Sequence, residues 1–334
     1  MKILLTSLYF APSIGGIETV SLLLACEFKA AGHEVIVATT SPDDSGLTFD
    51  FPVLRRPGFG ALLEAARWCD VLYQNNISLP LAAPLLVVRR PWVVTHQTWI
   101  PETGGINHRS KRALLRFAHG VSISRAVAES MPVESTVIPN PYDAAIFAER
   151  PEIARTVDLV AVGRLVSDKG FDGLIDALAE LAGSGLRPKL TMIGGGPELE
   201  PLRAQAAARG VADQVTFPGA MTGRALVEEL NRHRIAVVPS RWKEPFGIVA
   251  LEAIACGCVV VGSRDGGLAD AIGPCGLTFP NNDVGALAST LDMLLRKPEL
   301  LGEYRRPAPE HLRRHHPAAV AAEYLALFEK VRRT

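Results

Sequence analysis

Short runs of β-branched and aliphatic residues recur along this chain, each followed by a stretch with helical spacing. KILLTSLYF opens the series, and HEVIVATT, DVLYQ, WVVTH, GVSIS and STVIP continue it. Runs this uniformly apolar suit strands buried on both faces, the condition of a parallel sheet. The stretches between them read as helices; GIETVSLLLACEFKAAG ends on Gly32, a C-cap residue. This alternation points to an α/β, doubly wound fold class. It breaks once, at IPNPYDAAIFAERPE from Ile138, where two prolines within four residues and then a polar stretch intervene. It restarts with DLVAVGRL, KLTMIG, QVTFPG, IAVVPS and CVVVGS. We expect two βα domains in series, 1–142 and 143–314. The tail AAVAAEYLALFEKVRRT has helical spacing and suits either domain.

Composition narrows the function classes. Lys plus Arg and Asp plus Glu number 35 each, and aromatics are 6% of the chain. Neither a basic field nor a base-stacking platform argues for nucleic acid. Cys256 and Cys258 are one residue apart, unlike the spacing of zinc or redox pairs. The five cysteines read as small buried hydrophobes in a reducing cytoplasm. MKILLTSLYFAP reads as a first strand rather than a signal peptide, and no run approaches the ~18 apolar residues of a membrane span.

The informative residues sit at strand ends, where open α/β sheets bind ligands. Functional loops of two sheets facing each other would form an interdomain cleft. SIGGIET, from Ser13, lets the backbone turn and approach a ligand ahead of a helix N-terminus. GGGPELE, from Gly194, places Pro197 in a first helical turn. Neither matches the dinucleotide fingerprint, which disfavours an NAD dehydrogenase. GRLVSDKG offers Arg164 and Lys169, a guanidinium fork and a mobile ammonium suited to a diphosphate. Asp43-Asp44 reads as a turn, and no metal-binding pattern is found.

PSRWKEPFGIVALEAIACG places two glutamates around an apolar run. With Pro245 near the first helical position, Phe246, Gly247, Ile248 and Val249 expose first-turn N–H groups. Glu252 follows Glu244 by eight residues, which returns it to the same helical face roughly 12 Å away. That exceeds the carboxylate separation of a retaining hydrolase, ~5 Å. Two such carboxylates suit hydroxyl groups at the two ends of an extended ligand, with phosphate between.

Glu244-PFGIVAL-Glu252, followed by AIACG, resembles the E-x7-E element of the retaining GT-B glycosyltransferases of family GT4, the glycosyl transferases group 1. SIGGIET resembles their glycine loop, GRLVSDKG their G-R-L-x-x-x-K-G element and GGGP their G-x-G-P element. The resemblance implies two Rossmann-like domains facing across a cleft, with the last helix, about 315–334, crossing back to the first. It implies a nucleotide-sugar donor, a UDP-sugar or a GDP-sugar, held mainly by the second domain without metal. Glu252 would bind the ribose hydroxyls and Glu244 a hydroxyl of the transferred sugar. Arg164 and Lys169 would hold the diphosphate with backbone N–H groups near Gly247, Ile248 and Val249. Gly194, Gly196 and Phe246 would line the donor site, and Gly16 would approach it from the first domain. His96 resembles the family histidine near the sugar, although Gln97 follows it where an acidic or small residue is usual.

The implied reaction is sugar transfer with retention to a hydroxyl acceptor, in cell-surface polysaccharide or glycolipid assembly. A sugar-nucleotide 2-epimerase, or a non-catalytic nucleotide-sugar-binding protein, is the alternative. On the acceptor side, Arg109, Lys111, Arg112 and Arg116 can form one basic face, with Leu114, Leu115 and Phe117 partly behind it. Such a face suits peripheral contact with an anionic membrane at its inner side, or simply solvent.

Overall fold

Each strand-like run above forms a strand, and every pairing among the described residues is parallel. The computed structural model describes residues 1–13, 15–42, 46–103 and 105–333. The chain divides into two units: Met1–Pro141 with His315–Thr334, and Tyr142–Arg314.

The first unit holds seven strands: β1 (Lys2–Ser7), β2 (Glu34–Thr39), β3 (Val53–Arg55), β4 (Val71–Asn75), β5 (Trp92–His96), β6 (His119–Ser122) and β7 (Ser135–Val137). Their order is β3-β2-β1-β4-β5-β6-β7. Consecutive residues point to opposite faces, and both faces are apolar. On one, Leu4, Leu72, Trp92 and Val94 meet Leu62, Ala66 and Leu115. On the other, Tyr73 meets Phe28, Tyr324 and Phe328, with Phe28 and Phe328 ring centroids 5.5 Å apart. Thr95 Oγ1 and Tyr324 Oη are hydrogen-bonded at 2.8 Å. These contacts hold the tail helix, Pro317–Arg332, against the first sheet and the helix Gly16–Ala30.

The second unit holds β8 (Val157–Val162), β9 (Leu190–Ile193), β10 (Val215–Gly219), β11 (His233–Val238), β12 (Val259–Ser263) and β13 (Gly276–Phe279). Their order is β10-β9-β8-β11-β12-β13. Its core joins Leu159, Ile235, Val237 and Val261 to Leu174 and Leu178 of the helix Phe171–Gly183 and to Leu291 and Leu294 of the helix Val284–Arg296. Both sheets reverse direction beside their first strand, between β1 and β4 and between β8 and β11. A crevice opens at such a reversal, outside the carboxyl ends of the strands.

Cys26 is exposed rather than buried, whereas Cys69, Cys256, Cys258 and Cys275 are buried. Asp43 and Asp44 lie outside the described residues. No helix among the described residues is long and apolar enough to cross a membrane.

Candidate active site

The second unit brings four loops together at its reversal point. The segment after β8 runs beside the segment after β9: Gly163 N–H donates to Ile193 O at 3.0 Å, Leu165 N–H to Gly195 O at 2.9 Å, and Glu198 N–H to Leu165 O at 3.0 Å. Gly194 and Gly196 have φ of 153° and 155°. A Cβ on Gly194 would land on the Gly163 carbonyl, and one on Gly196 on the Leu165 carbonyl. Both glycines therefore have a scaffolding reason to be glycine, whatever they do toward a ligand. Pro197 is not in a first helical turn. It lies in the turn before the helix Leu199–Ala208, whose N-cap is Glu198.

The segment after β8 is also tied to the segment after β11. Arg241 N–H and Trp242 N–H both donate to Asp168 O, at 2.9 and 3.0 Å. Gly170, at φ 68°, passes so close to Pro239 that a Cβ would collide with the Pro239 carbonyl. This docking sets Lys169 against Glu244. Lys169 Nζ donates to Glu244 Oε1 at 2.6 Å, and Ser240 Oγ donates to the same oxygen at 2.7 Å. The two side chains stay 25% and 12% exposed, so the pair reaches solvent while being shielded from most of it. Glu244 is fixed through its backbone too, since Gly267 N–H donates to its carbonyl at 2.7 Å. Arg164 is exposed, and its side chain makes no hydrogen bond or ion pair with another described residue.

Helix geometry after Glu244 departs from expectation. Pro245 is not near the first helical position; the helix is Ile248–Ala255 and its N-cap is Gly247, at φ 102°. Only glycine suits that conformation, and a Cβ there would meet Leu268. No side chain caps the terminus. Ile248 and Val249 therefore offer first-turn N–H groups to an outside acceptor, with the positive end of the helix dipole behind them. Phe246 is buried.

Glu252 is in the second turn of this helix. Its carboxyl makes no hydrogen bond or ion pair with another described residue. Burial pushes it up to about 7, and the nearby charge of Asp143 adds to the effect. A carboxylate held this way gains from any hydroxyl that donates to it.

In the first unit, Gly16 begins the helix Gly16–Ala30 and is exposed. The Glu18 carboxylate lies beside Gly15, where a Cβ would collide with it. That acidic group weakens the attraction of this terminus for a phosphate. His96 is fully buried at the end of β5. Its ring lies against Gly120, both nitrogens lack a hydrogen-bond partner among the described residues, and burial lowers its pKa to about 4.

The residue after it is better connected. Gln97 Nε2 donates to Asn75 Oδ1 at 2.8 Å and to Asn140 Oδ1 at 2.9 Å, and Asn140 Nδ2 donates back to Gln97 Oε1 at 2.8 Å. Asn75 Nδ2 continues to Ser21 Oγ at 2.7 Å and to Ile17 O at 3.2 Å, which holds the helix behind the glycine loop. Sequence reasoning missed this buried ladder because its members come from segments far apart in the chain. It also missed Asp143, more than a hundred positions before Glu252, and Ser240, whose bond to Glu244 depends on how the loop after β11 folds back.

The basic face also needs correction. Arg109 and Arg116 are exposed and Lys111 is half-buried, but Arg112 turns back to donate to Ile100 O at 3.0 Å. Leu115 is buried, Leu114 packs against the core, and Phe117 is not behind the face but 78% exposed.

The model of the family described as glycosyl transferases group 1 matches residues 145–311, half of the chain, and includes Lys169, Glu244 and Glu252. A glycogen synthase of Mycobacterium tuberculosis is 37% identical over 183 residues, 54% of this chain and 44% of that protein. A GDP-mannose-dependent alpha-(1-6)-phosphatidylinositol monomannoside mannosyltransferase of Mycolicibacterium smegmatis is 35% identical over 197 residues, 55% of this chain and 50% of that one. The chain thus spans about half the length of the curated relatives it matches. Among solved structures, a sucrose-phosphate synthase from Thermosynechococcus elongatus has a TM-score of 0.82 at 21% identity, covering 99% of this chain and 98% of that one. Anabaena HepE in complex with UDP and glucose has a TM-score of 0.81 at 20% identity, covering 99% and 100%. The fold is GT-B, with two Rossmann-like parallel-sheet domains. The chain belongs to the glycosyl transferases group 1 family.

Proposed function

We propose that this protein is a retaining, metal-independent glycosyltransferase that moves a sugar from a nucleotide-diphosphate sugar to a hydroxyl acceptor. The observation that carries the reading is the convergence of Lys169, Ser240 and Glu244 beside the uncapped start of the helix Ile248–Ala255. Lys169, Arg164 and the N–H groups of Ile248 and Val249 supply positive charge for a diphosphate. Glu244 accepts a hydrogen bond from a hydroxyl of the transferred sugar, and Glu252 from the ribose. As the bond between the anomeric carbon and the diphosphate oxygen breaks, negative charge grows on the leaving group, where these donors act most strongly. The acceptor oxygen bonds to the anomeric carbon on the same face, and its proton passes to a leaving-phosphate oxygen.

UDP in the HepE structure and GDP-mannose in the name of the mycobacterial relative support a UDP-sugar or GDP-sugar donor. Those relatives' names also support a place in polysaccharide or glycolipid assembly. The test is thermal shift against UDP-, GDP- and ADP-sugars with EDTA present. At least one donor raises the melting temperature, and donor alone yields no epimer. A flat response to every donor at millimolar concentration overturns the reading.

We also propose that the helix Ile106–Leu114 and its continuation rest on an anionic membrane surface at the inner face. Ile106 and Phe117 are 84% and 78% exposed, an arrangement supported by the charges of Arg109, Lys111 and Arg116. Replacing those three with glutamine is expected to abolish co-sedimentation with phosphatidylglycerol vesicles. Unchanged co-sedimentation, or none for the original protein, discards the membrane contact.

A further inference from the structure

Of the four tryptophans in the chain, Trp242 is the most exposed, with 45% of its surface open to solvent. Among the described residues of Tyr142–Arg314 it is the one exposed large aromatic side chain. A solitary exposed apolar residue is ordinary on a protein surface. Its mounting sets this one apart. The loop that carries it is clamped before, at and after the indole. Asn281 Nδ2 donates to Ser240 O at 3.2 Å, Trp242 N–H donates to Asp168 O at 3.0 Å, and Gly267 N–H donates to Glu244 O at 2.7 Å. The backbone is thus held on three other segments. The indole itself makes no ring contact or hydrogen bond with another described residue.

Because the loop backbone is already held, a ligand need order only the two side-chain torsions of the indole. Indole is flat and apolar across its faces, with one donor at its edge. A pyranose ring is its complement, since one face carries C–H groups and the rim carries hydroxyls. Trp242 is two residues from Glu244, the carboxylate assigned to a sugar hydroxyl. We infer that Trp242 stacks on the C–H face of a pyranose ring at this site and helps decide which sugar is accepted. The inference rests on the nucleotide-sugar reading of Glu244 and Lys169. The ring belongs to the donor or to the acceptor, which share this chemistry.

Trp242→Ala, Trp242→Phe and Trp242→Leu are compared with the original protein, with Glu244→Gln as reference. Two reactions are followed: hydrolysis of the stabilising donor by water, and transfer to a panel of aryl glycosides. Trp242→Ala is expected to raise KM for the stacked sugar about tenfold. Trp242→Phe stays near the original value and Trp242→Leu does not rescue it. The melting temperature stays within about 2 °C throughout, as expected for an exposed site. A KM rise in hydrolysis assigns the ring to the donor, and a rise confined to transfer assigns it to the acceptor. Unchanged KM in both reactions for Trp242→Ala overturns the inference. So does Trp242→Leu matching Trp242→Phe, because apolar bulk would then suffice. No hydrolysis of any nucleotide sugar by the original protein sinks the nucleotide-sugar reading itself, whereas hydrolysis that survives Glu244→Gln removes Glu244 from the sugar contact and the stacking inference with it.

Discussion

Lys169→Ala lowers kcat for sugar transfer by about 10²–10³, the usual effect of removing one donor aimed at developing negative charge. Two contacts are lost together. Lys169 is the cation proposed for the leaving diphosphate, and its Nζ is 2.6 Å from Glu244 Oε1. Without it, Glu244 keeps only the hydrogen bond from Ser240, and its carboxylate is free to leave the position suited to a sugar hydroxyl. Lys169→Arg does not restore the rate, because a planar guanidinium cannot replace a compact ammonium in the same 2.6 Å contact. Residues that act as a unit show non-additive losses. The double variant Lys169→Ala/Glu244→Gln is therefore expected to lose little more than the worse single change. Initial rates on the stabilising donor check this. Strictly additive losses, or a kcat within about threefold of the original, count against the assignment.

Glu252→Gln has opposite effects on stability and on donor binding. The folded protein holds this carboxyl up to about 7 from an ordinary 4.5. The unfolded chain ionises it at the lower value. Between those two pH values the folded state binds the extra proton, so its stability falls as pH rises; above about 7 the penalty is constant. At pH 8 the neutral amide removes that penalty, worth roughly 1–3 kcal/mol, and the ligand-free protein melts several degrees higher. Near pH 4 the advantage disappears. Donor affinity moves the other way, weakening about 10–100-fold as hydrogen bonds from the ribose to a charged acceptor are lost. In the original protein, donor affinity rises with pH through about 7 as Glu252 ionises, and in Glu252→Gln this rise is absent. Denaturation at pH 4 and pH 8 and donor titration across pH 5.5–8.5 test both halves. Equal stability at pH 8, with a pH-dependent donor affinity retained in the variant, would move the carboxylate out of the site.

The two changes show where sequence reasoning was strong and where it ended. Glu244 with Glu252, and Arg164 with Lys169, stood out as candidates because each pair lies within a few residues of a helix start. The first of these starts was misplaced by three residues, because Pro245 is a familiar opening residue while Gly247 earns its place through a left-handed backbone and the nearness of Leu268. Gly194 and Gly196 read as ligand loops. Their reason within the fold is the crossing of two segments some 30 positions apart in the chain. The burial of His96 against Gly120 is a property of neighbouring strands and is not legible in the linear order.

What the amino-acid order determined by itself is periodic and local: which runs are strands, where the pattern breaks near Ile138, and which charged groups accompany glycine at strand ends. Hydrophobic period and turn chemistry act over a few residues, so they survive in a linear reading. Tertiary structure alone decided that Ser240 and Lys169 share one oxygen of Glu244, that Asp143 lies near enough to raise the Glu252 carboxyl, and that Gln97 joins Asn75 to Asn140. Those outcomes depend on parallel strands bringing distant segments to one sheet edge, where separations of a few ångströms fix the electrostatics.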